Sequence, residues 1–474
     1  MNRPAAPQPP RVRGACPGVA APMATGDGYL LRLRHPIGGL GVAAARVLAD
    51  TARRLGNGEL ELTLRGNLQL RGVAAGDLDA ARAALAPTGL VDAQAEREAR
   101  RNVLAAPVPD LDPEAVDVLA LARAVSAAIV DEPALRGLPA KVGVVVDGGG
   151  RASLRGVPAD LRLDPLAGAG SRFRLAAGGT AATATPLGEV SAQHAPAAVV
   201  RTLRAFLAQR AALDPPPGRL RDALDMPGSE ALRLPGAEGE TPGAVANADT
   251  PVRAGDWLGV AAGGAWVGAV FPFGVIDADR LESLAAWLEP RGGGLRLTPW
   301  RALLVTGVAA DAAPELQQLL WELGAVTEPA DRRLAADACV GRPGCASAHI
   351  AARSEAAALV QRMPTLAASG VRLQVSACDK RCAAPPRTDG GVLEWIARPD
   401  GHAVVLRSRP GAALEWSGLA PAEARARIAA LERAFARQRN AGEDLQTMLE
   451  RIGPEAWNAA VDAALCEEDE RDGD

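Results

Sequence analysis

A chain of 474 residues has room for about three or four domains, and 48% hydrophobic content supplies ordinary buried cores. A net charge of −4 argues against non-specific nucleic-acid binding, six cysteines are too few for a disulfide scaffold, and no run approaches the roughly 18 apolar residues of a membrane span. The expectation is a cytoplasmic protein without nucleic-acid or membrane partners, whose thiols stay reduced and can hold a metal.

The opening residues, MNRPAAPQPPRVRG (1–14), are rich in Pro and Arg, lack an apolar core and read as a disordered lead. A half repeat follows over 15–85. It runs GDGYLLRLRHPIGG, then an Ala/Leu/Arg helix, then the alternating strand GELELTLRGNLQLRGV. Residues 86–235 read as an α/β stretch, with helices at 114–131 and 197–213 and a buried strand in KVGVVVDGGG. Pro, Gly and Asp crowd 215–255, which reads as a linker or long surface loop. The plan then recurs over 236–315 as GDWLGVAAGGAWVGAVFPFG, the helix DADRLESLAAWLEP and the strand GGLRLTPWRALLVTGV. Leu281, Leu284 and Leu288 share one face of that helix. Two such strand–helix–strand halves can join about a pseudo-two-fold axis. A second α/β stretch, 316–465, holds a helix at 351–362, the strands VRLQVSA and GHAVVLRSR, and a helix at 421–438. An acidic tail, 466–474, reads as disordered.

Four of the six cysteines fall in this last stretch: Cys339 and Cys345 in CVGRPGC, Cys378 and Cys382 in CDKRC. Zinc-finger pairs usually stand two to four residues apart on tight turns. C-x5-C followed by C-x3-C suits a larger inorganic core held by two loops, and a four-Cys cubane iron–sulfur cluster is the natural candidate. Gly341, Pro343 and Gly344 let the first loop wrap closely, while Lys380 and Arg381 place positive charge between the second pair of thiolates. Cys16 and Cys466 have no partner pattern.

All basic residues except Lys141 and Lys380 are arginines. Arg32 and Arg34 alternate with Leu31 and Leu33, and Arg65, Asn67, Gln69 and Arg71 alternate through LRGNLQLRG. A polar strand face usually meets solvent, but one made of Arg, Asn and Gln also suits an anion, above all a carboxylate. The four histidines, His35, His194, His349 and His402, are scattered without metal-site spacing.

Together these motifs resemble the sulfite and nitrite reductase superfamily. In that family C-x5-C…C-x3-C binds a [4Fe–4S] cluster, and its last Cys bridges to the iron of sirohaem. The family's L-T-x-R-x-x-x-Q strand matches Leu62 to Gln69. N-V-R-N matches Ala99-Arg100-Arg101-Asn102, and L-P-R-K matches Leu138-Pro139-Ala140-Lys141. The resemblance implies an α+β fold of two ferredoxin-like half-domain repeats, each followed by an α/β domain. It also implies Arg101 and Lys141 as catalytic residues, Arg32, Arg34, Arg65, Asn67 and Gln69 as substrate-binding residues, and the four cysteines as cluster ligands.

Ala15-Cys16-Pro17-Gly18, Phe271-Pro272-Phe273-Gly274 and Leu297-Thr298-Pro299-Trp300-Arg301 are most similar to the precorrin-3B synthase branch. That branch implies oxygen-dependent hydroxylation of precorrin-3A at C20 with γ-lactone formation. Precorrin-3A and dioxygen would be the partners, a donor of unspecified identity would supply electrons, and a mononuclear non-haem iron would accompany the cluster. The alternative is a sirohaem-dependent sulfite or nitrite reductase. Those reductases carry a second lysine where this chain has Gly143.

Overall fold

The computed structural model describes residues 17–168, 170–236, 243–383, 391–408 and 413–471. The expected lead and Cys16 lie outside these residues. The first repeat supplies β1 (Met23–Thr25), β2 (Gly28–Leu33), β3 (Leu40–Gly41), β4 (Glu59–Leu62) and β5 (Leu68–Val73). Its α/β domain supplies β6 (Val103–Ala105), β7 (Val144–Val146), β8 (Ala159–Pro165), β9 (Arg172–Gly179) and β10 (Thr185–Ser191). The second repeat gives β11 (Gly259–Val260), β12 (Trp266–Val270), β13 (Val275–Asp277), β14 (Gly294–Leu297) and β15 (Ala302–Thr306). The second α/β domain gives β16 (Ala336–Ala338), β17 (Arg372–Ser376), β18 (Val392–Ile396), β19 (His402–Arg407) and β20 (Ala413–Leu419).

The repeat is carried in the strand pairings. The half-repeat sheets run β1-β2-β5-β4-β13 and β11-β12-β15-β14-β3, so each half lends one short strand to the other. Ile276 lies opposite Leu60, and Leu40 opposite Leu295. The helices Val42–Leu55 and Ala278–Leu288 pack together and bury Leu48, Ala52, Leu281, Leu284 and Leu288 in one core beneath both sheets. The α/β sheets also share one plan: β6, β7 and β8 run parallel and β9 and β10 antiparallel, as do β16, β17, β18 and β19, β20.

Each expected closing strand is in fact a hairpin. Thr63 N donates to Asn67 O (3.0 Å), while Thr63 Oγ1 accepts from the amides of Arg65 (3.3 Å) and Asn67 (3.2 Å). Gly66 turns the chain at φ 64°. The second hairpin repeats this at Thr298, whose Oγ1 accepts from Trp300 (3.2 Å) and Ala302 (3.1 Å), with Arg301 at φ 58°. Arg65 therefore sits in a turn, exposed, instead of on a strand. The threonine side chain competes for backbone amides and breaks what alternation alone presents as one continuous strand.

The chain end also departs from expectation. A helix covers Leu445–Arg471, broken at Gly453 (φ 78°) ahead of Pro454, so most of the acidic tail is helical. No helix among the described residues is long and apolar enough to cross a membrane.

Candidate functional site

The cysteine loops leave the C-terminal ends of adjacent parallel strands: Cys339 follows β16, and Cys378 follows β17 by two residues. Backbone bonds tie the loops together. Cys339 N donates to Val375 O (3.2 Å), His349 N to Ala377 O (2.9 Å), and Ala377 N to Cys339 Sγ (3.2 Å). Lys380 Nζ reaches Ser347 Oγ at 3.0 Å across the same gap. Burial pushes the Cys339 thiol up, and the nearby Cys382 and Cys378 thiols push it the same way against backbone amides that lower it. A thiolate there is costly unless a metal neutralises it. Cys345 and Cys378 are half-buried and Cys382 is exposed.

Among the described residues no three His, Cys, Asp or Glu side chains stand close enough to share one metal ion, so the expected mononuclear iron has no ligand set there. In an iron–sulfur cluster each thiolate can take a different iron. The chemistry, number and two-loop placement of these four thiols fit such a cluster.

From these loops a polar face crosses the first half repeat. Asn67, Gln69 and Arg71 are 6%, 8% and 5% exposed, so this is an interior face and not the solvent edge that alternation suggests. Leu68 and Leu70, pointing the other way, belong to the core. Arg71 sits at the cluster end. Its Nη2 donates to Gly344 O (2.6 Å) and Asp27 Oδ1 (3.2 Å), and Gly26 N also donates to Gly344 O (3.3 Å). In the middle Gln69 is paired across strands with Arg32 and Glu61. With its amide turned, Gln69 O accepts from Arg32 Nη2 at 2.8 Å. Arg353 from the second α/β domain reaches Glu61 (2.7 Å) and Glu59 (3.3 Å). Arg34 is 3% exposed.

At the far end the face opens on a crevice lined by His35, Arg65, Asn67, Arg101, Asn102 and Gly143, among others. Its enclosed space is about 10 Å³, about that of a single water. Asn67 Oδ1 accepts from His35 N (2.9 Å), Asn102 Nδ2 donates to Val142 O (2.8 Å), and Arg101 Nη2 donates to Gly89 O (3.0 Å). Arg101 and His35 also line a neighbouring cavity of about 450 Å³. A Cβ on Gly143 would lie 3.0 Å from Asn102 Nδ2, a tight approach, and at an ordinary contact distance of 3.7 Å from Arg65 Nη1. Lys141, two residues earlier, is exposed and is not among the residues lining the crevice.

Two participants were not apparent in the sequence. His35 Nδ1 lies 3.1 Å from Gly66 O, and burial lowers the imidazole to about 4, outweighing the raising effect of that bond. The neutral ring donates Nδ1–H to the carbonyl and keeps a lone pair on Nε2. No metal spacing marked it; its only signal was its place two residues after a strand. Glu98, 1% exposed, accepts from Val19 N and Ala20 N (both 2.9 Å), clamping the N-terminal segment beside Arg101. A Cβ on Gly18 would lie 2.3 Å from Glu98 Oε2, so a side chain there would push the carboxylate off the two amides it holds.

Known proteins show the same organisation. The family model described as Nitrite/Sulfite reductase ferredoxin-like half domain matches twice, at residues 21–88 and 261–323. The solved Mycobacterium tuberculosis NirA protein has the same fold, with a TM-score of 0.69 at 18% identity over 90% of this chain and 84% of that one. A Synechococcus elongatus ferredoxin–nitrite reductase is 28% identical over 79% of this chain and 78% of its own. A Sinorhizobium precorrin-3B synthase is 31% identical over 465 residues, 95% of each chain. The two half domains, their exchanged strands and this full-length identity place the chain in the precorrin-3B synthase family of the nitrite and sulfite reductase superfamily.

Proposed function

We propose that this oxidoreductase hydroxylates precorrin-3A at C20 and closes the ring-A acetate onto C1 as a γ-lactone. Dioxygen gives one oxygen atom to the substrate and the other to water, and an external donor supplies two electrons. The observation that carries this reading is the buried polar face linking the cysteine loops to the Arg65–Asn67–Arg101 crevice.

Precorrin-3A is a reduced macrocycle bearing many carboxylates. Guanidinium and amide donors spread along a strand suit it, since charge-assisted bonds to carboxylate are directional and strong. From Asn67 to Arg71 the extended chain covers roughly 13 Å at strand rise, the scale of a tetrapyrrole ring. The crevice itself has room for about one water, so the macrocycle would displace what now packs over this buried face. Arg65 and Arg101 anchor carboxylates, Asn67 and Gln69 orient the ring, and Arg32 and Arg34 hold the strand beneath it. His35 offers an acceptor at Nε2 instead of a cation.

Cys339, Cys345, Cys378 and Cys382 would hold a [4Fe–4S] cluster, which supplies one-electron chemistry when bound. Lys380 would offset part of its charge, while Arg381 is paired with Glu394. Glycine at position 143 and the exposed Lys141 speak against the cation clamp that a small sulfur or nitrogen oxyanion needs.

The test is iron and sulfide analysis with optical spectra of anaerobically purified protein, before and after adding precorrin-3A. Broad cluster absorption that responds to substrate is expected. A sirohaem Soret-type band would move the assignment to the reductases. Unchanged tetrapyrrole binding after Arg65 and Arg101 are both replaced by Ala would remove the substrate site from this crevice.

A further inference from the structure

The internal symmetry marks a second place where a ligand could sit. The hairpin equivalence sets Trp300 against Arg65, Arg301 against Gly66 and Ala302 against Asn67. The segment after β12, Phe271-Pro272-Phe273-Gly274, corresponds to His35-Pro36-Ile37-Gly38 after β2, and the closing glycines both have positive φ (75° and 92°). β16 and β17 correspond to β6 and β7. The counterpart of the first crevice therefore lies where the second half repeat meets the second α/β domain. A cavity of about 440 Å³ opens there, within the usual range for small-ligand sites.

Its walls have changed character. Trp257 and Trp300 stack with ring centroids 5.0 Å apart and planes 8° from parallel, and Phe273, Leu64 and Leu334 extend the apolar wall. Arg301, Arg333, Arg372 and Asp337 also line the cavity. Asp337 is shared, 2.7 Å from Arg372 and a looser 3.7 Å from Arg301, while Arg333 pairs with Asp331 at 2.7 Å. Three guanidinium groups against two carboxylates leave one positive charge. Nε of Arg301 is buried and makes no hydrogen bond.

Backbone conformation points the same way. Phe273 (φ 59°) and Arg301 (φ 58°) both adopt the left-handed region that disfavours side chains, and the first repeat places Gly66 where Arg301 stands. Strained non-glycine residues cluster at ligand sites, where what the side chain contacts offsets the strain. We propose that this cavity is a second binding site, for a planar aromatic monoanion whose acid group meets Arg301 while its ring lies along the Trp300–Phe273 wall. One surplus charge does not match a polycarboxylate macrocycle, so the ligand is not the tetrapyrrole.

The probe is naphthalene-2-carboxylate, titrated calorimetrically into the full-length holoprotein. Binding at one site is expected, weaker for the neutral 2-naphthamide. Arg301→Gly preserves a turn that already accepts glycine in the first repeat, so its melting temperature should equal or exceed that of the parent. Losing one charge-assisted bond should weaken the probe about tenfold to a hundredfold. Arg101→Gln, in the first crevice and not among the residues lining this cavity, should leave probe binding unchanged. Three results would overturn the proposal: no binding at millimolar probe, equal affinity in a folded Arg301→Gly protein, or loss of binding in Arg101→Gln alone.

Discussion

Arg71 couples the first half repeat to the first cysteine loop, and its replacement has a calculable effect. The side chain is 6% exposed and its partner Asp27 14%. In Arg71→Leu the carboxylate keeps Thr25 Oγ1 (2.7 Å) and Asn57 Nδ2 (3.2 Å) but loses its cation. Gly344 O keeps only the longer bond from Gly26 N among the bonds described above. Removing one partner of a buried ion pair costs about 3–5 kcal/mol. The remaining donors and partial exposure of Asp27 bring this to about 3 kcal/mol, at the upper end of one lost charge-assisted bond. If the loss falls on the loop, local opening becomes about a hundredfold more frequent. Two measurements read this: iron release to a chelator, and hydrogen exchange at the Cys345 amide, which donates to Gly341 O at 2.9 Å. Both should accelerate by that factor in Arg71→Leu and less in Asp27→Asn, which keeps a neutral hydrogen-bonding side chain. Parental rates in Arg71→Leu would show that the loop is held by its own turns and that the coupling is incidental.

Other tests follow from the same geometry. The imidazole of His35 drops from 6.5 to about 4 on folding, so the folded protein binds fewer protons between those values. Its contribution, about 3 kcal/mol, is complete above pH 6.5 and disappears as pH falls toward 4. His35→Gln should flatten urea-unfolding free energy over that window; an unchanged slope would refute the burial argument. Cys339→Ser and Cys382→Ser should each lose iron and sulfide while Cys466→Ser keeps both, and full iron content in Cys382→Ser would remove that residue from the ligand set. Glu98→Ala strips the acceptor from two backbone amides, should cost about 2–3 kcal/mol and should make the segment around Gly18 sensitive to protease. Unchanged cleavage would mean that Glu98 does not hold that segment.

The cysteine pairs and the repeat were legible because each rests on residue identity at short spacing. The helix face of Leu281, Leu284 and Leu288 was legible for the same reason, and all three are buried. Alternation in LRGNLQLRG revealed a polar face but not its environment, because period two reads the same whether that face meets water or another domain. Only tertiary packing turned Arg71 toward Gly344 and buried Gln69 between Arg32 and Glu61. Exchange between the halves was hidden by length, since β3 has two residues and β13 three. His35 was invisible as a site residue because its surroundings come from Gly66 and the crevice walls, distant in sequence or set by a turn.

The reciprocal loan of β3 and β13 bears on how such a molecule could arise. An isolated half would lack its fifth strand and present an open edge, a standing template for another chain. The nearest matching edge belongs to a second copy of the same half, and two copies related by a two-fold axis satisfy each other completely. The present chain has the arrangement of a strand-swapped homodimer whose two halves are joined covalently. A covalent link leaves the two halves free to differ: one carries Arg65, Gly66 and Asn67 at the position where the other carries Trp300, Arg301 and Ala302. A single-copy half, expressed alone, is expected to dimerise or aggregate and not to persist as a folded monomer.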